Sequence, residues 1–194
     1  MVFGPHPHNL PRPALSLGYP LPGIGVRLVN EQTRDADEGV LQLQTPALMP
    51  GYHHLPKKTA AVMTQDGYYD TGDILRRDAH GFYYFVGRSD DMFVCGGENI
   101  FPDEVEQMLE RHPHIHQACV VPVADEIRGH KPVAFVVLVS GASMTVQEVK
   151  DFALAHAPAY QHPRHVLFVP ELPLAGTNKI DRRALIERAM ACSA

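Results

Sequence analysis

GRSDDMFVCGGENIFPDEVE, residues 87–106, changes character three times along its length. A charged link carrying Arg88, Asp90 and Asp91 leads into Met92, Phe93, Val94 and Cys95, which are apolar enough for a short buried strand. Gly96 and Gly97 follow. Lacking Cβ atoms, they adopt positive φ freely and let a narrow ligand lie against the main chain. Pro102 then suits the first turn of a helix, with Asp103 and Glu104 at its positive end and Val105, Met108 and Leu109 on one face. A hinge-like link thus feeds a small, separate unit.

Upstream of this stretch, strands dominate. Apolar and polar residues alternate from Ile24 to Val29 and from Val40 to Gln44, with a charged turn from Glu31 to Glu38 between them. A second hairpin runs from Leu75 to Gly87 around the turn Asp78-Ala79-His80-Gly81. Met1 to Pro22, rich in proline, glycine and histidine, has no period and reads as an irregular lead-in. Downstream, helices alternate with apolar strands. After the helix from Pro102 to about Arg111, strands are expected at Ala118–Val123, Val133–Val139 and Val166–Val169. A second helix starts near Thr145, where Thr145 and Glu148 have capping-box spacing, and a last one runs from about Arg182 to Met190. The expected fold is α+β. Residues 1–89 form a β-rich subdomain, and residues 90–194 form a domain with a roughly three-stranded sheet backed by helices, hinged near Asp90.

Composition narrows the function classes. The chain has 194 residues, is 45% hydrophobic and 20% charged, and so can bury a core. A net charge of −5 without any basic stripe argues against a nucleic-acid partner. Cys95, Cys119 and Cys192 are odd in number, far apart and without CxxC spacing, which points away from a disulfide framework or zinc site and toward a reducing cytoplasm. No apolar run is long enough for a membrane span, and Met1 to Pro13 lacks the form of a signal peptide. His112-Pro113-His114-Ile115-His116 invites a metal reading, but Pro113 breaks the alternation and no acidic or cysteine ligands flank the run, so a solvated loop is expected.

Three motifs stand in order along the chain: Tyr69-Asp70-Thr71-Gly72-Asp73, the glycine-bearing stretch from Gly87 to Glu106, and Leu172-Pro173 running into Gly176-Thr177-Asn178-Lys179-Ile180-Asp181-Arg182-Arg183. Together they resemble the acyl-CoA synthetases, AMP-forming ligases of the adenylate-forming superfamily that includes luciferases and the adenylation domains of peptide synthetases. The resemblance extends from about Gly18 to Ala189. It implies a carboxylic acid and ATP giving acyl-adenylate and pyrophosphate, after which the thiol of CoA displaces AMP. Fatty acid metabolism is the implied setting, and a homo-oligomer is compatible with it.

Each candidate residue has a chemical reading beside this resemblance. A carboxylate such as Asp73 can accept hydrogen bonds from both hydroxyls of a ribose, or it can simply brace its own Thr-Gly-Asp turn. The resemblance gives it the ribose of the nucleotide. Arg88 offers a planar permanent charge for phosphate or ribose oxygens, or a surface pair with Asp90 or Asp91; by resemblance it contacts the nucleotide, and Asp90 is the residue about which the small domain rotates between the two reactions. Gly96 and Gly97 form either a plain tight turn or, by resemblance, the lining of the CoA tunnel, with Glu98 beside them. Lys179 is a surface lysine or an ammonium that meets the negative charge developing between α-phosphate and carboxylate. The resemblance makes it the catalytic lysine of adenylation. Many relatives have glycine directly before that lysine, whereas here Asn178 stands there.

The phosphate loop ending in lysine, and the aromatic-Gly-x-Thr-Glu motif that contacts adenine and Mg2+ in this family, do not occur in the sequence. The chain is therefore expected to be the final third of a ligase whose large N-terminal domain, Mg2+ ligands and acyl pocket lie elsewhere, and to be inactive alone. A stand-alone nucleotide- or CoA-binding module, or part of a peptide-synthetase adenylation domain, are the alternatives.

Overall fold

The computed structural model describes residues 1–176 and 178–193. The chain divides into two compact units, Met1–Asp90 and Asp91–Ala194. Among the described residues, no helix is long and apolar enough to cross a membrane.

In the first unit the lead-in contributes a small ribbon, β1 (Phe3–Gly4) against β2 (Tyr19–Pro20). The body is an antiparallel sheet in sequence order, β3 (Gly25–Val29), β4 (Glu38–Gln44), β5 (Tyr69–Arg77) and β6 (Tyr83–Arg88). Alternation puts Leu28, Leu41, Leu75 and Tyr83 on the buried side, where Ala36 joins them and Phe3 and Leu17 pack against them. The expected turn at Asp78 to Gly81 is present. The Asp78 carboxylate accepts hydrogen bonds from the His80 and Phe82 amides at 2.9 and 3.0 Å, and Gly81 takes φ +80°. A short helix, α1 (Pro56–Val62), lies between β4 and β5 and buries no residue.

The second unit is built on the antiparallel pair β9 (Ile115–Asp125) and β10 (Gly129–Leu138), with β11 (His165–Phe168) parallel to β10. These are the three strands expected from the sequence. The hairpin of β7 (Phe93–Cys95), the short strand expected at Met92 to Cys95, and β8 (Glu98–Ile100) joins them at Gly129 opposite Cys95, so the sheet has five strands where roughly three were expected. The helices are α2 (Pro102–Leu109), α3 (Val146–His156) and α4 (Arg182–Ser193). Period-two alternation sends Ala118, Val120, Ala134, Val136 and Val166 into one core with Val105, Leu109, Val149 and Ala153 of α2 and α3. The intervening Cys119, Val121, Val133, Phe135 and Val137 face the other way, packing with Leu185 and Ala189 of α4. Both faces of the sheet are covered, which explains the nearly continuous apolar runs in β9 and β10. Thr145 caps α3 as its spacing predicts, its hydroxyl accepting from the Glu148 amide and the Glu148 carboxylate accepting from the Thr145 amide.

Candidate functional site

The sequence-predicted residues fall into three local constellations. The first, in the unit Met1–Asp90, gathers Asp73, Arg88 and Asp90. Thr-Gly-Asp was expected to be a turn, but it is a bulge inside β5: the register with β4 passes from Val40–Ile74 to Gln42–Asp70 and leaves Thr71, Gly72 and Asp73 opposite a single residue. The Thr71 hydroxyl pins the bulge, donating to the Leu41 carbonyl at 2.9 Å and accepting from the Asp73 amide at 3.0 Å. Gly72 takes φ +72°, and a Cβ there would come within 3.2 Å of Arg88 Nη2. The positive φ is what favours glycine here, and a larger residue would also crowd the Arg88 guanidinium.

Across the bulge, Asp73 pairs in register with Arg88 of β6. Arg88 Nη1 donates to Asp73 Oδ1 at 2.8 Å, while Nε and Nη2 donate to Asp90 Oδ1 and Oδ2 at 2.8 and 3.3 Å. One guanidinium therefore joins the candidate ribose ligand to the candidate hinge. The hydrogen bond from Arg88 holds the Asp90 carboxyl below its ordinary range. The Arg88 and Asp73 side chains are 42% and 36% exposed, so the cluster is open to a ligand.

The second constellation is the β7–β8 hairpin. Gly96 and Gly97 have φ of +62° and +90°, so both central residues of the two-residue turn are left-handed, as a primed hairpin turn demands. The Gly96 amide donates to the Arg128 carbonyl at 3.0 Å, fixing the turn against the connection between β9 and β10. A Cβ on Gly97 would meet nothing within 4 Å. Glu98 pairs with Cys95 to close the turn and is exposed.

The third is the loop carrying Lys179, a finger closed by the bridge between Leu174 and Ile180. The Ala175 amide donates to the Lys179 carbonyl at 2.7 Å and the Asn178 amide to the Ala175 carbonyl at 2.9 Å. Asn178 takes φ +61°. Asparagine is among the few side chains that tolerate this conformation, which glycine would also adopt freely. Lys179 is exposed. Thr177 lies outside the described residues.

Sequence reasoning missed the pair at the base of this finger. Arg182 Nη1 and Nη2 donate to Glu106 Oε1 and Oε2 at 2.7 and 3.0 Å, and Nη1 also reaches the Val120 carbonyl at 2.9 Å. Burial works against the Arg182 charge, but hydrogen bonding and attraction from Glu106 outweigh it, and the guanidinium pKa is raised. Beside the pair, burial pushes the Cys119 thiol up to about 12, with the Glu106 charge adding to the effect. The available signal was Glu106 itself, a carboxylate next to Val105 on an apolar helix face, which calls for a partner. Among the described residues no group of three or more His, Cys, Asp or Glu is arranged to hold a metal ion.

Residues 104–179 match the family described as AMP-binding enzyme C-terminal domain. The chain is 37% identical over 184 residues to the mitochondrial medium-chain acyl-CoA ligase ACSF2 of Mus musculus, covering 93% of this chain and 30% of that one. It is also 37% identical to a long-chain-fatty-acid–CoA ligase of Bacillus subtilis, covering 89% and 31%. Among solved structures, the anthranilate CoA ligase AuaEII in complex with anthranoyl-AMP superposes with a TM-score of 0.85 at 31% identity, over 100% of this chain and 38% of that one. ATP-bound MatB from Rhodopseudomonas palustris gives 0.82 at 26%, over 97% and 38%. The chain spans about a third of the length of the curated relatives it matches.

Proposed function

We propose, for a chain that belongs to the acyl-CoA ligases and carries their AMP-binding enzyme C-terminal domain, that it serves as the C-terminal portion of an AMP-forming acid–thiol ligase. In the first step a carboxylate oxygen attacks the α-phosphorus of ATP and pyrophosphate leaves. In the second, the thiol of CoA attacks the acyl carbonyl and AMP leaves. Asp73 accepts from the ribose hydroxyls and Arg88 supports the nucleotide. Asp90, the last residue of the first unit, is the hinge, letting the second unit offer Lys179 to adenylation and the Gly96-Gly97-Glu98 turn to the approach of CoA. Lys179 meets the charge that develops between α-phosphate and carboxylate. Mg2+, the acyl pocket and the pyrophosphate cradle belong to a large domain that completes the site, so the chain alone is inactive. Medium- and long-chain ligases among the relatives support a fatty-acid substrate, and three unpaired thiols support a cytoplasmic setting.

The observation that carries this reading is the Lys179 finger: an exposed ammonium on a loop anchored at both ends, in a chain similar to acyl-CoA ligases over nine-tenths of its length. The test is acid-dependent pyrophosphate exchange in the complete ligase. Lys179→Ala is expected to lower the exchange rate by about 10²–10³-fold, the scale of losing one transition-state donor, while CoA-dependent consumption of supplied acyl-adenylate continues. Undiminished exchange in Lys179→Ala would remove the lysine from the mechanism.

A further inference from the structure

We infer that Glu106 and Arg182 are positioning residues for Lys179, an inference that rests on the reading of Lys179 as the adenylation lysine. The finger has a short base. The Asp181 amide donates to the Pro173 carbonyl at 2.8 Å, and the Asp181 carboxylate caps α4 by accepting from the Ala184 amide at 3.1 Å. Arg182 comes next in the chain, three residues after Lys179. Its guanidinium leaves the helix start to grip Glu106 of α2 through a two-pronged fork, and Val120 of β9 through the carbonyl. Glu106 is itself fixed to the same strand, accepting from the Val120 amide at 2.6 Å. Asp103, one turn earlier on α2, lies 3.7 Å from Arg182 Nη2. The start of α4 is thereby locked to both α2 and the central sheet.

A purely structural role would not need these charges. A buried ion pair gives little stability that well-packed apolar groups of similar size would not supply. What the fork supplies is orientation, because two parallel charge-assisted bonds fix the guanidinium plane in a way that apolar packing does not. Leu174, Gly176, Asn178 and Lys179 are exposed, so the finger itself has little packing to hold it, and the ion pair just beyond its base determines where Lys179 points. The same pair reaches back to α2, whose first turn follows directly on the β7–β8 hairpin.

The test uses the double variant Glu106→Gln/Arg182→Met, which removes both charges together and leaves no buried ion unpaired, with Glu106→Asp as the conservative partner that keeps the charge. In the complete ligase, three quantities are compared with wild type: amide exchange at Ala175 and Asp181, kcat and KM of pyrophosphate exchange, and the rate of thioester formation from supplied acyl-adenylate. The expected result is a melting temperature near that of wild type, faster exchange at both amides, and a kcat for adenylation lower by about 10–100-fold with KM for ATP unchanged, the scale of a misplacement of about 1 Å. Thioester formation stays at the wild-type rate, and Glu106→Asp recovers part of the lost kcat. Unchanged amide exchange overturns the inference, as does faster exchange with an unaltered kcat in a ligase that Lys179→Ala inactivates. If Lys179→Ala is itself active, it is the reading of the lysine that has failed, and the two failures are told apart by that single control.

Discussion

Replacing Gly97 separates the role of the glycine turn in folding from its role in chemistry. Gly97 sits at φ +90°, where an L-residue is strained by about 1–2 kcal/mol, and a Cβ there would have no neighbour within 4 Å. Gly141, in the connection between β10 and α3, has φ +80° and equally open surroundings. Gly97→Leu and Gly141→Leu should therefore cost the second unit similar stability. For a domain of this size each kcal/mol is worth about 4–8 °C, so both melting temperatures should fall by about 4–16 °C. Because a folded domain has about 5–15 kcal/mol in hand, both variants should remain folded.

The two should differ in catalysis. If the glycine turn serves the approach of CoA as proposed, a leucine at Gly97 obstructs that approach, whereas Gly141 has no proposed part in it. In the complete ligase, Gly97→Leu is expected to slow CoA-dependent thioester formation at least about tenfold, equivalent to about 1.4 kcal/mol of transition-state stabilisation. Acid-dependent pyrophosphate exchange should stay within about twofold of wild type, and Gly141→Leu should alter neither half-reaction. The reasoning is refuted if Gly97→Leu keeps its thioester rate, or if both variants lose it in proportion to their loss of stability.

Other consequences can be measured on the chain itself. Burial lowers the His162 pKa below its ordinary 6.5, and its Nδ1 has no hydrogen-bond partner; burial lowers His165 in the same direction. A lowered folded-state pKa means that the unfolded chain takes up protons first as the pH falls, so this contribution to stability, owed mainly to the buried His162, is present above about pH 6.5 and lost as the pH falls further. Urea unfolding should give a midpoint that falls from pH 7.5 to pH 5, less steeply in His162→Gln; an identical slope would dismiss His162 as a source. Cys95 and Cys119 are buried and Cys192 is exposed. A thiol reagent at pH 8 should therefore modify one thiol rapidly in the native chain and all three in guanidinium, and a second fast thiol would contradict the packing around Cys95 or Cys119. Thr145→Ala removes one half of the capping box and should destabilise the chain by about 0.5–2 kcal/mol, read as a lower midpoint at unchanged m-value.

What could be read from the sequence was what the local backbone dictates. Gly96-Gly97 announced a left-handed turn, Thr145 and Glu148 announced a helix start, and the apolar runs in β9 and β10 announced strands. Each signal lies within a few residues of its consequence. Glu98-Asn99-Ile100 is too short to show a period, so β8 was not foreseen, and α1 has no apolar stripe because it buries nothing. Thr71-Gly72-Asp73 misled for a physical reason: glycine at positive φ signals a turn and a bulge alike, and only the pairing of β4 with both sides of the irregularity distinguishes them. The Glu106–Arg182 pair lies further out of reach, since its partners are 76 residues apart. No local pattern encodes such a meeting, which exists only after the sheet has brought α2 and α4 to the same strand. The Lys179 finger combines the two kinds of information. Its left-handed turn is written locally in Asn178, but the direction in which the lysine points depends on the distant fork that fixes the residue after its base. A substitution at Asn178 should therefore act on the shape of the finger, and one at Glu106 on its aim.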